Sequence, residues 1–287
     1  MFRRQDSPGS VVCPACGKLV GAKEPQCPYC GRPRPGMWGL TPLLRGLSLE
    51  GAFVPLVVGG SVVVFLATLA FDPSAIGMGG GMFGLLSPGR ASLFVFGASG
   101  AEPVFRFGRW WTLLSATWLH GGLIHILFNM MAIRAIAPAV VHLYGPGRTT
   151  ILYVVSGATG FAMSSLSPFL PGLLRLVLGA GTFTVGASAA LFGLLGALLH
   201  YSRRGGVAAL GQQIWVWVGG MLLLGLVLRG IDNWAHIGGL AGGWLLAYWL
   251  DPLQPERVDH MLVGLLLLLA SLAAIGISVL TGLPLVR

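Results

Sequence analysis

Five side chains in this 287-residue chain stand out because they are polar or ionisable groups inside strongly apolar runs: Ser188, His120, His125, Asn129 and His236. Such groups are costly in an apolar span and are usually there for function. Ser188 lies in GASAALFG and His236 in NWAHIGGLAGG, while HGGLIHILFN carries the other three. A serine hydroxyl is a weak nucleophile unless a base sits within hydrogen-bond reach, a role His236 can fill. Acyl transfer also needs donors aimed at the oxyanion that develops on the attacked carbonyl. His125 and Asn129 are four residues apart and share one helix face, so they can join the Ser188 backbone N–H as donors. His120, five residues before His125, falls about 140° round the helix and is expected to bond loop backbone instead. No acid completes a triad. Asp232, one turn before His236, could orient the ring, but it is expected in the outer loop, in water. A single histidine or serine in a span is more often a packing residue, so the case rests on the conjunction.

A second cluster has different chemistry. Cys13-x2-Cys16 and Cys27-x2-Cys30 are the only cysteines, with Gly17 and Gly31 directly after each pair. Two such hooks ten residues apart match a tetrahedral four-cysteine zinc site. An iron site and two disulfides are the alternatives; a reducing cytoplasmic location argues against the disulfides. So small a segment has no core, so a structural zinc ion is expected to hold it together. Its partner is unidentified, and substrate recruitment and regulation both stay open. No cofactor is expected for catalysis.

The elements that must position these groups are membrane helices. Hydrophobic residues make up 55% of the chain and charged residues only 9%, against about a quarter charged in soluble domains. Apolar runs near the ~20 residues needed to cross a bilayer lie at about 52–71, 119–140, 149–168, 185–202, 213–230, 234–250 and 260–281. Residues 1–50 hold no apolar core of signal-peptide length, so the amino terminus is expected to stay in the cytoplasm, with the first span as an uncleaved anchor. That orientation puts twelve of the eighteen basic residues on the inner side, as the positive-inside rule requires. The net charge of +9 is thereby explained without nucleic acid. The expected location is a prokaryotic plasma membrane. Between spans one and two, a glycine-rich stretch (Gly77, Gly79, Gly80, Gly81, Gly84) precedes EPVFRFGRWWTLLSATW. Its interleaved aromatic and arginine side chains suit the headgroup layer of the outer leaflet.

Spans two, four and six then all run from outside to inside. His125 and Asn129, Ser188 and His236 fall near their starts, on one level below the outer surface. Gly239 and Gly243 follow His236 at i+3 and i+7, a small-residue face that lets backbones approach. Gly186, Ala187, Ala189 and Ala190 offer a matching surface.

The motifs HGGLIHILFN, GASAALFG and AHIGGLAGG, in that order, resemble the signatures of the rhomboid intramembrane proteases over about residues 50–250. The resemblance implies an all-α polytopic fold with a six-helix core and a Ser–His dyad open to water from the outer face. It implies Ser188 as nucleophile, His236 as base, His125 and Asn129 as oxyanion donors, and Phe192 stacked on the base. Transmembrane proteins, cut near helix-destabilising residues, would be the substrates, met in the lipid bilayer. The chain departs from the pattern in having Ala189 where glycine usually follows the nucleophile, which bears on the oxyanion hole. It also has Trp111-Thr112 where the loop often carries Trp-Arg, which bears on loop anchoring; Arg109 is near.

The expected organisation is a zinc-ribbon-like segment and linker over 1–45, the core over 50–251, and a linker with a seventh helix over 252–287. A catalytically inactive relative that binds transmembrane clients is the alternative function, kept open by Ala189. A transporter would need polar residues across the full membrane depth, and a di-metal enzyme more histidines than six. His142, His200 and His260 read as interfacial, and span seven shows no functional polar group.

Overall fold

The computed structural model describes residues 9–13, 15–36, 51–77, 84–179, 181–205, 207–228 and 230–286, leaving aside the side chains of 175–177. Most of the linker after the cysteine segment, residues 37–50, and part of the glycine-rich stretch, 78–83, lie outside the described residues.

The amino-terminal segment is a hairpin of β1 (Ser10–Val12) and β2 (Leu19–Gly21), antiparallel with Ser10 opposite Gly21 and Val12 opposite Leu19. Its interior consists of Val11, Val20 and Ala22 packed with Cys13 and Cys27. An isolated two-stranded hairpin is marginal in water, so this one needs a further link.

The remainder is helical. In chain order come α1 (Phe53–Phe71), α2 (Arg90–Phe96), α3 (Thr112–Ser115), α4 (Leu123–Tyr144), α5 (Pro146–Leu166), α6 (Gly172–Leu178), α7 (Ser188–Arg204), α8 (Ala208–Val227), α9 (Asn233–Trp249) and α10 (Val258–Val286). Local chemistry sets several of the ends. Gly145, at φ +83°, closes α4, and Pro146 opens α5, where a missing N–H costs nothing. Arg203 and Arg204 occupy the last turn of α7, where cations favour the helix dipole.

This is an all-α polytopic membrane protein. Among the described residues, five helices (α1, α4, α8, α10, and α5 with its following turn) are long and apolar enough to cross a bilayer. The other two expected spans form the 17-residue helices α7 and α9, each about 25 Å long. Gly186, at φ +133°, precedes the first turn of α7, and Asp232, in extended conformation, precedes α9, so neither helix begins earlier. Likewise α4 begins at Leu123, later than the expected 119, because Gly121 and Gly122 stay outside it. His120 therefore precedes the helix instead of lying on its far side.

The centre is α7, buried along almost its whole length among α9, α5, α8 and α4. By contrast α8 shows Trp215, Val216, Leu223 and Val227 outward, an apolar surface fit for lipid. At the start of α5, buried Arg148 donates to the carbonyls of Asp251 and Gln254 (2.7 Å to the latter). Its backbone N–H meets Glu256 at 2.7 Å, so the α9–α10 linker is clasped to α5. His200, read as interfacial, is buried edge-on against Trp244 and Tyr248.

Candidate active site

Ser188 is the first residue of α7 and is half-buried. His236 lies one turn into α9 and is 3% exposed. Their side chains meet, with His236 Nε2 2.9 Å from Ser188 Oγ. The Phe192 ring, one turn further along α7, stacks on the imidazole at 4.2 Å and only 2° from parallel. That contact fixes the ring plane without using a ring nitrogen, and Nδ1 of His236 has no hydrogen-bond partner among the described residues. Asp232 does not orient it. One carboxylate oxygen caps α9 by accepting the Ala235 N–H at 3.0 Å, and the other accepts the Ser164 hydroxyl of α5. The arrangement is a two-residue contact, with Asp232 spent on helix geometry.

His125 approaches from the opposite side. Its Nδ1 accepts the Gly121 N–H at 3.2 Å, so in the neutral ring the proton sits on Nε2 and that nitrogen is a donor. Gly186 explains the space in front of it. With φ +133°, it takes a conformation that side-chain-bearing residues rarely adopt, and a Cβ there would stand 2.7 Å from His125 Nε2 and 3.8 Å from Ser188 Oγ. The hollow left by that missing carbon touches the Ser188 hydroxyl and His125 Nε2 together, the geometry an oxyanion site requires. Asn129 is buried nearby, but its amide donates to the His125 carbonyl at 3.1 Å, not toward Ser188. His120 is fully buried beside the Trp118 backbone, its ring edge-on to His125 at 5.2 Å.

Small residues bring α7 and α9 together. A side chain at Gly239 would run into the Ala189 carbonyl, and one at Gly243 into the Gly193 carbonyl. Gly160 of α5 faces the Ala235 carbonyl and the Ala189 methyl. Ala189 is helical and packs with Ala116, Phe161 and Ala235. The methyl is thus absorbed by glycines opposite it, away from the turn at Gly186.

A family model described as the Rhomboid domain matches residues 107–252, half of the chain, with all of these side chains inside it. The chain belongs to the rhomboid family. It is 33% identical to Rhomboid protease GluP of Bacillus subtilis over 64% of this chain and 34% of that protein. RHOMBOID-like protein 4 of Arabidopsis thaliana is 37% identical over 58% of this chain and 40% of the relative. RHOMBOID-like protein 7 of the same plant is 34% identical over 69% and 65%. The chain therefore spans from a third to just under two thirds of the length of these relatives.

The rhomboid loop between α1 and α4 is built around residues that sequence reasoning undervalued. Arg109, the arginine near the altered Trp-Arg position, is 1% exposed and lies over the Phe94 ring. Burial lowers its guanidinium to about 10, so it remains charged at neutral pH. Expected to carry no functional polar group, α10 in fact accepts two indole N–H bonds. Trp111 donates to Ser278 Oγ and Trp118 to Ser271 Oγ, each at 3.1 Å. The signal was present as a buried small-residue row at seven-residue spacing, Gly264, Ser271 and Ser278.

Away from the rhomboid domain, the four cysteines converge. Their sulfurs all lie within 4.8 Å of one another, with Cys13–Cys30 and Cys16–Cys27 both at 3.7 Å. That is too long for a disulfide and close to the ~3.8 Å edge of a tetrahedron with 2.3 Å metal–sulfur bonds. Gly17 and Gly31, at φ +72° and +74°, turn each knuckle. The Arg32 backbone lowers the Cys30 thiol, but desolvation and the three neighbouring sulfurs push it up to about 12. Four sulfurs this close can hold a metal ion.

Proposed function

We propose that this chain is an intramembrane serine endopeptidase acting through a Ser188–His236 dyad. The observation that carries the reading is the 2.9 Å Oγ–Nε2 contact under the stacked Phe192 ring. In the proposed reaction His236 Nε2 takes the Ser188 proton as Oγ attacks the scissile carbonyl, forming the C–O bond. The oxyanion enters the hollow beside Gly186, where His125 Nε2–H and the Ser188 backbone N–H can donate. The Asn129 amide joins them only after turning from the His125 carbonyl. Collapse breaks the C–N bond, His236 delivers its proton to the leaving amine, and water then hydrolyses the acyl-enzyme by the same steps. Substrates are proposed to be transmembrane proteins whose helices unwind easily near the cut.

The amino terminus is proposed to face the cytoplasm of a prokaryotic plasma membrane, on the charge distribution given above. The cysteine hairpin is proposed to carry a structural zinc ion with Cys13, Cys16, Cys27 and Cys30 as ligands, supplying fold and no catalytic step.

The test is labelling of the purified protein in mild detergent with a fluorophosphonate probe. Labelling that disappears in both Ser188→Ala and His236→Ala supports the dyad. Labelling that persists in Ser188→Ala assigns the nucleophile elsewhere. An unlabelled wild type, still unlabelled after removal of residues 1–45, favours an inactive rhomboid that binds clients.

A further inference from the structure

The seventh helix does not line the hollow at Ser188; it packs on α5, α2 and α3. Yet it holds one end of a continuous series of bonds that reaches Gly186. Arg109 Nη2 donates to the Ser278 carbonyl and Nη1 to the Phe94 carbonyl, both at 2.6 Å. No carboxylate among the described residues pairs with this cation. A buried cation is costly unless its hydrogens are used; here Nη1 and Nη2 are used on carbonyls of two separate helices, α10 and the end of α2, while Nε has no partner among the described residues. Gly282 makes the approach feasible, because a Cβ there would stand 2.9 Å from Val95 Cα and 3.1 Å from Arg109 Nη2.

From α2 and α3 the bonds run to the site. Ser115 Oγ holds the Gly97 carbonyl at 2.9 Å, and Thr112 Oγ1 holds the Arg109 carbonyl at 2.7 Å. Ser99 and Thr184 then exchange both backbone bonds, at 2.8 and 3.0 Å. Ala101 and Glu102 donate to the carbonyls of Gly181 and Thr182, and Gly186 donates to the Ala116 carbonyl at 3.0 Å. The segment that sets the Gly186 hollow is therefore a strand-like edge paired to the loop, and the loop is fastened to α10.

We infer that Arg109 is a positioning residue for the Ser188 site, with the Ser278 turn of α10 as its anchor, so that the seventh helix holds the oxyanion hollow in shape. The inference rests on the proposed dyad for its catalytic consequence but not for its structural one. Arg109 does from one position the anchoring that the altered Trp-Arg pair leaves undone, and it extends that anchoring to a helix outside the matched domain.

The experiment uses the full chain and two readouts, backbone hydrogen exchange at residues 99–102 and 181–186 and the rate of fluorophosphonate labelling. Arg109→Gln and Gly282→Leu should each speed exchange in those two segments while leaving the α7 and α9 amides protected. Each should also slow labelling roughly tenfold or more, the scale expected when a catalytic group is displaced by about 1 Å. With a transmembrane reporter substrate, kcat should fall while KM holds, and Arg109→Lys should recover part of the loss. If Arg109→Gln fails to fold, Gly282→Leu carries the test. Unchanged exchange in both variants overturns the brace whether or not Ser188 reacts. Faster exchange with wild-type labelling rates reduces Arg109 to a loop stabiliser and overturns its positioning role. A wild type that never labels, together with faster exchange in the variants, sinks the protease reading and leaves the brace standing.

Discussion

Residues 9–36 gather four sulfurs around an interior of Val11, Val20 and Ala22, whereas α7 carries Ser188 on a helix buried against four others. In water the small hairpin cannot exclude enough apolar surface to define itself, so coordination must replace packing. In a bilayer apolar side chains gain little by leaving lipid, so close backbone approach between small residues replaces hydrophobic drive. Gly239 against the Ala189 carbonyl and Gly243 against that of Gly193 are that approach. One region can gather its polar groups round a metal ion, while the other meets through having almost no side chains at the seam.

The sharpest separation should come from removing the chemistry alone. Ser188→Ala is expected to lower peptide-bond cleavage by on the order of 10⁴-fold or more, and adding His236→Ala should cost little further, since the pair acts as a unit. Helical circular dichroism should be unchanged in both. An additive loss would mean the two residues work separately.

Next in size is damage to the seam. Gly243→Leu drives a side chain into the Gly193 carbonyl and should destabilise the helices by about 3 kcal/mol. Thermal unfolding in detergent, followed alongside cleavage, checks this. A stable, active variant would show that close α7–α9 contact is not what holds the site.

Metal removal tests the other half. Chelation, or Cys13→Ser with Cys30→Ser, should unfold residues 9–36 and release one bound zinc per chain, read by elemental analysis. Fluorophosphonate labelling should continue at the wild-type rate. A loss of labelling would break the separation by making the hairpin part of the catalytic unit.

The smallest effect is expected at Ala189→Gly. A glycine inside α7 should cost roughly 1 kcal/mol of stability, with labelling preserved because the Ala189 methyl faces Gly160 and not the hollow. A large gain in labelling would show that the methyl had been distorting the oxyanion site.

Much of this arrangement was legible in the residues themselves. Ser188, His125 and His236 could be placed on one level because span polarity and direction are simple consequences of an apolar solvent. The seven helices followed from run length, although their starts did not. Gly121 and Gly122 delayed α4, and Gly186 delayed α7, because those boundaries depend on tertiary partners such as the Ser99–Thr184 pairing. Asp232 lay one turn from the histidine, where orienting the ring and capping the helix predict the same spacing. Only the Ala235 N–H and Ser164 hydroxyl distinguish them. Asn129 was read as a donor by its helix face, yet an amide can turn inward to its own backbone, as it does here. The α10 contacts escaped notice because a serine that accepts an indole N–H looks, in a string of letters, like any serine in a small-residue row.

The bond between Arg109 and Ser278 spans 169 residues. A ribosome adding about 5–20 residues per second needs roughly ten to thirty seconds to cover that distance. Ser188 and His236 are both made before Ser278, so for the last roughly two to eight seconds of that interval both exist while the loop lacks its final fastening. Maturation of the loop is thereby tied to the synthesis of α10, and a chain that stops short of that helix is left with an unfinished mouth.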